Sequence, residues 1–224
     1  MMRIPNSSAR EPSEIVTEQL DYGSAGYTLR SLSWLDYAKR NTSICAIHYA
    51  AFEARRAVEE LLFEEIVVTV GKKLDRKRYS ECRGSATKLK RVLKRLAPDY
   101  DKLQDFLEVL RSTDEASVPI TRWDHGILMK HWGKLSKYLH WNGGPEDTVD
   151  SVQWFVEALG TIEEAARYLW DGLTTGHSGI MPPERMQPEV RDTWEAFIAG
   201  EIDLAAVGRR MTIATPVLRD RIRR

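Results

Sequence analysis

The chain has two cysteines in 224 residues, Cys45 and Cys82. Two lone thiols give neither a disulfide framework nor the paired cysteine–histidine spacing of a zinc site. Its 33 basic and 33 acidic residues cancel, so whole-molecule charge selects no partner. No apolar run approaches the roughly 20 residues of a membrane span, and the opening Met-Met-Arg-Ile-Pro-Asn-Ser-Ser lacks the apolar core of a signal peptide. A glycine-rich phosphate loop, a serine elbow and a His-Glu-x-x-His pattern are all missing from the sequence. These absences predict a cytoplasmic protein that enters no membrane and works without a metal or other cofactor.

What is present is helical periodicity. Apolar residues make up 42% of the chain, enough for a core. After Asn41-Thr-Ser43, which offers caps, Ile44, Ile47, Ala51, Ala54, Val58 and Leu61 recur in steps of three and four. Leu89, Val92, Leu93 and Leu96 repeat the pattern, as do Leu103, Phe106, Leu107 and Leu110. Pro145-Glu-Asp-Thr opens a further long helix, with Val149, Val152, Val156, Leu159, Ile162, Ala166 and Leu169 expected on its buried face. The β-branched Ile66–Val70 run also reads as a possible short strand. The expected architecture is all-α: a polar tail over 1–30, an up-and-down helical bundle over 31–173, a linker over 174–187 rich in proline and glycine, and a small helical module over 188–224.

Charge is distributed unevenly. Residues 72–95 carry eleven basic and two acidic side chains; residues 96–180 carry seven basic and fourteen acidic. Either the basic segment faces a polyanion, or the two segments neutralise each other in the fold. Lys88, Lys90, Arg91, Lys94 and Arg95 share one short helix and form the candidate nucleic-acid face, with RNA or DNA as partner.

The stretch from Arg122 to Pro145 concentrates three of the five histidines and ends abruptly at Asn142-Gly-Gly-Pro145. It places His140 at a helix end. Lys137, three residues earlier, shares its face, and Lys134, six earlier, projects about 120° away. A cation and a histidine near a helix terminus are the parts of a phosphate-facing site. The same residues also describe an ordinary solvated helix end. His125 and His131 are six apart, the wrong spacing for joint metal ligation from one helix.

Two resemblances extend this reading. The run Ala54-Arg-Arg-Ala-Val-Glu-Glu-Leu-Leu62 on an early long helix, with the later helix ending Lys134-Leu-Ser-Lys-Tyr-Leu-His140, resembles the HEPN superfamily over about residues 42–171. That resemblance implies a dimeric helical bundle, a metal-independent ribonuclease in some members, and a bacterial defence or toxin-type setting that can include a second protein. The resemblance implies a catalytic set in which His140 matches the family's histidine and deprotonates a 2′-hydroxyl, Asn142 donates to a phosphate, and Lys134, with Lys137 closer still, stands where the family has an arginine, keeping the charge for the phosphorane and losing the bidentate grip on a phosphate. Separately, residues 202–222 resemble a helix-turn-helix, with helices over 203–211 and from Thr215, a turn at Thr212-Ile213-Ala214, and Ile213 as the buried turn residue. This would offer Arg219, Arg221 and Arg223 to DNA. The functional alternatives are a non-enzymatic interaction or scaffold bundle and a DNA-binding regulator acting through residues 202–224.

Overall fold

The computed structural model describes residues 23–82, 85–113, 121–139, 152–175 and 181–222. Among them the fold is all-α, with nine helices: α1 Ser24–Asn41, α2 Ile44–Val70, α3 Arg76–Cys82, α4 Ala86–Leu96, α5 Tyr100–Ser112, α6 His125–Ser136, α7 Val152–Thr175, α8 Pro188–Ile198 and α9 Leu204–Ile222. None of them is long and apolar enough to cross a membrane.

The central helix is α2. Ser43 caps it, its hydroxyl accepting from the Ala46 N–H. At 27 residues it is about 40 Å long and touches α1, α4, α6 and α7. Its first half buries mostly small residues, Ala46, Ala50, Ala51 and Ala54, which let α1 and α7 approach closely against Leu35, Leu135, Ile162 and Ala166. Its second half buries Leu61, Leu62, Phe63 and Ile66 and fills the larger space between α4, α5, α6, α8 and α9. Ile66–Val70 is helical: its side chains are already buried by the bundle, so tertiary packing overrides β-branched preference. The helix stops at Gly71, whose φ of 49° and ψ of −126° suit a residue without a Cβ.

Several expected boundaries move. The chain is helical from Ser24, well inside the segment read as a polar tail. Ser24, Thr28 and Ser31 are all buried in α1, and each hydroxyl is satisfied: Ser24 Oγ donates to Glu64 Oε2 at 2.6 Å, Thr28 Oγ1 to the Ser24 carbonyl and Ser31 Oγ to the Ala50 carbonyl. Small hydroxyls thus occupy the interface where an apolar stripe would have announced the helix. Within α7, Val152 is 81% exposed and Val156 is also exposed. The buried face there runs instead through Ala158, Ile162, Ala165, Ala166 and Leu169, and Val149 lies outside the described residues. Arg76–Cys82 forms the short helix α3.

The C-terminal helices share the main core. Phe106 of α5 packs edge-on against Trp194 of α8, with ring centroids 5.3 Å apart, and Val207 and Met211 of α9 are buried in the same cluster. Gly200, at φ 76°, turns the chain from α8 towards α9. The helix α9 then runs unbroken through Thr212-Ile213-Ala214, where the sequence suggested a turn. Thr212 and Thr215 return their hydroxyls to the Gly208 and Met211 carbonyls, as helical threonines do. Ile213, expected to be buried, is 78% exposed on this continuous helix.

Gly172 of α7 gives a direct test of packing. A Cβ built there would collide with the ring of Trp123, a side chain that is itself buried. Thr121 Oγ1 also donates to the Gly172 carbonyl at 2.6 Å, fixing the segment that leads into α6. Gly172→Ala should therefore destabilise the protein by about 1–3 kcal/mol, despite alanine's better helix propensity. Urea denaturation checks this; a stabilised variant would contradict the close approach.

Candidate functional site

The two ends of α6 differ in what they offer. At its C-terminal end, Lys134 Nζ donates to Glu164 Oε2 of α7 at 2.9 Å, and that pairing holds the Glu164 carboxyl below its ordinary range. Lys137 is the exposed C-cap residue. His140 and Asn142 lie outside the described residues. Of the four residues expected to be catalytic, the structure therefore places two, and Lys134 is already engaged by a carboxylate.

The N-terminal end of α6 opens on a cleft of about 400 Å³ between α4, α5 and residues 122–126. Asp124 caps the helix, its Oδ1 accepting from the Gly126 and Ile127 N–H groups at 2.6 and 3.0 Å. Those bonds lower the Asp124 carboxyl below its usual range. They also place His125 at the first helical position, against the cleft.

Behind His125 lies a buried polar network. Glu65 of α2 faces His125 Nε2 at 3.0 Å and accepts the Tyr100 hydroxyl of α5. Gln104 Nε2 donates to Tyr100 Oη at 2.5 Å, and the Tyr100 and His125 rings stack with centroids 5.1 Å apart. Burial first, then the charge and hydrogen bond of Glu65, push the Tyr100 phenol well above its ordinary range, so it stays a neutral donor. Glu65 as a carboxylate only accepts, so a neutral His125 that donates to it from Nε2 carries an acceptor at Nδ1.

The basic helix forms the neighbouring wall. Ser85 caps α4, accepting from the Lys88 N–H, while Leu89, Val92 and Leu93 face the core. Lys90 and Lys94, one turn apart, line the cleft beside His125. Lys88, Arg91 and Arg95 turn outwards and are exposed. Arg95 meets Glu81 at 3.5 Å, whereas no carboxylate of the described residues lies within ion-pairing distance of Lys88, Lys90, Arg91 or Lys94. Asp105 and Glu108 of α5 pair with Arg122 at 2.6 and 3.5 Å and Asp99 meets Lys102, while Asp101 lines the same cleft as Lys90 and Lys94. Among the described residues the only ion pair of the basic helix is the one between Arg95 and Glu81.

The third candidate set is less accessible. Arg219 and Arg221 fall on α9 with their side chains outside the described residues, and Arg223 lies outside them altogether. Glu65, Tyr100, Gln104 and His125 were missed by sequence reading, although one signal pointed to them. Glu65 interrupts a buried face of Leu61, Leu62, Ile66 and Thr69, and a carboxylate in that position needs a partner.

A half-buried carboxyl, Glu60, lies earlier on α2. Burial, with repulsion from Glu64, raises the Glu60 carboxyl to about 7; Arg56 opposes the shift. The folded state then binds this proton more tightly than the unfolded chain. Stability from this group is present below about pH 4.5 and is lost as pH rises through about 7. Glu60→Gln should match wild type in acid and exceed it by about 2–3 kcal/mol at pH 8. Thermal melts across that range decide it, and an equal loss at both pH values would contradict the assignment.

No family model, no curated protein and no solved structure matches this chain.

Proposed function

We propose that this protein is a nucleic-acid-binding helical bundle that engages a phosphate backbone through α4 and the cleft beside it. The observation that carries this reading is a helix with five basic side chains, four of them without an acidic partner among the described residues. Unpaired cations held on a rigid helix release counterions when phosphates replace them, which supplies affinity without sequence readout. Binding of a single-stranded RNA by the full chain, followed by fluorescence anisotropy over a range of salt, tests it. The logarithm of the association constant should fall linearly with that of salt, with a slope of roughly −3 for four or five phosphates. A salt-independent constant, or no binding at low salt, would contradict the reading.

The cleft supports a ribonuclease as a second reading. Cleavage without metal needs a base near neutral pH for the 2′-hydroxyl and a cation for the phosphorane. His125 with Lys90 and Lys94 supplies both, whereas Lys134 is tied to Glu164. RNA incubated in EDTA with wild type, His125→Ala and His140→Ala discriminates the two ends of α6. Loss of cleavage in the first variant alone supports the cleft; loss in the second alone returns the site to the other end.

Protein contact is supported by a different surface. Tyr49 and Phe52 of α2 are 55% and 49% exposed, beside exposed Tyr37 and the ring of Trp34, whose centroid lies 5.0 Å from that of Tyr49. Aromatic side chains exposed together suit an interface with a second copy of this chain.

A further inference from the structure

Resting on the nucleic-acid reading, we propose that the cleft holds the terminal phosphate of a strand, so that the protein prefers phosphorylated ends over continuous backbone. The basic surface stops at this cleft. On one side stands α4, whose Lys90 and Lys94 form that wall. On the other side Asp101 of α5 and Asp124 reach the cleft, and Arg122 is engaged by Asp105 and Glu108. From Asp99 to Glu108 the sequence carries four acids and one lysine. A strand tracking α4 meets negative potential once it passes the cleft, so continuing costs repulsion and ending there does not.

The cleft also fits the charge of an end. A phosphomonoester carries about −1.5 to −2 at neutral pH and exposes three acceptor oxygens, where an internal diester carries one charge. Lys90 and Lys94 bring two positive charges from a single face, about 6 Å apart along the axis. His125, oriented from behind by Glu65 at Nε2, adds a donor at Nδ1 only as the imidazolium, since the neutral ring with its proton on Nε2 accepts there. The α6 N-terminus contributes nothing to this, because Asp124 already takes its Gly126 and Ile127 N–H groups.

The test uses one RNA sequence in three forms, with a 5′-phosphate, a 3′-phosphate or two hydroxyl ends, each titrated with the full chain. One phosphorylated form should bind about tenfold tighter than the hydroxyl form, and which one does so identifies the end. In Lys94→Gln that ratio should fall to about one; in Arg91→Gln, outside the cleft, all three forms should weaken together and the ratio persist. Equal affinity of wild type for the three forms overturns the end preference and leaves the nucleic-acid reading standing. A preference that survives Lys94→Gln overturns the placement in this cleft. Failure of wild type to bind any form overturns the nucleic-acid reading itself, and the inference falls with it.

Discussion

Exchanging Lys90, Arg91 and Lys94 together for glutamate lowers the affinity for single-stranded RNA by about 100-fold near 0.15 M salt and flattens the salt dependence by roughly three phosphate contacts. The three side chains extend from α4 beyond the buried row of Leu89, Val92 and Leu93. None of the three has an ion-pairing carboxylate among the described residues, so reversing them breaks no ion pair there. The expected change in stability is correspondingly small, within about 0.5 kcal/mol per site. The thermal melt of the variant should therefore nearly coincide with that of wild type while binding is lost. A variant that binds as wild type would remove α4 from the account.

The largest expected loss of stability belongs to Glu59. Glu59 is 7% exposed and accepts from Trp132 Nε1 of α6 and from Arg56, both at 2.9 Å, while Arg55 Nε stands 3.4 Å away as an ion pair without a hydrogen bond. Arg55 also stacks over the Trp132 ring, 4.6 Å from its centroid. Glu59→Ala leaves two half-buried guanidiniums without their shared carboxylate and an indole N–H without its acceptor, at a cost of about 2–3 kcal/mol. Glu59→Gln keeps the indole's acceptor and loses the charge, and should cost less than the alanine. Urea unfolding of both variants measures the difference. A loss below about 1 kcal/mol for the alanine would show that the network contributes little.

These two sites also show what could be read before the fold was known. The helices of the main core announced themselves, because Ile47, Ala51, Ala54, Val58 and Leu61 are all buried at the spacing the pattern required. The basic helix was equally legible, since a run of lysines and arginines on a capped amphipathic segment depends only on local sequence. The first turns of α1, inside the expected tail, were not, because Ser24, Thr28 and Ser31 make their contacts with hydroxyls, and periodicity counts those as polar. The polar network was hidden for another reason. Glu65, Tyr100 and His125 come from three helices, separated by 35 and 25 residues, and only the tertiary fold brings them together. Reasoning along one helix weighed His125 only beside His131 and set both aside as joint metal ligands; His131 is buried against Tyr168, and that burial depresses its pKa. At the C-terminus the turn residues matched a pattern locally, yet α9 continued through them. The burial of Val207 and Met211 on the main core is settled by packing that the local sequence does not contain.

The account places nucleic acid on α4 and in the cleft, and photo-crosslinking a thiouridine-bearing RNA to the full chain tests that placement most directly. Digestion and mass spectrometry should find the RNA attached to peptides spanning residues 85–96 and 121–126. Adducts confined to residues 134–142 or 204–224 would contradict it, moving the contact to the far end of α6 or to the C-terminal helix.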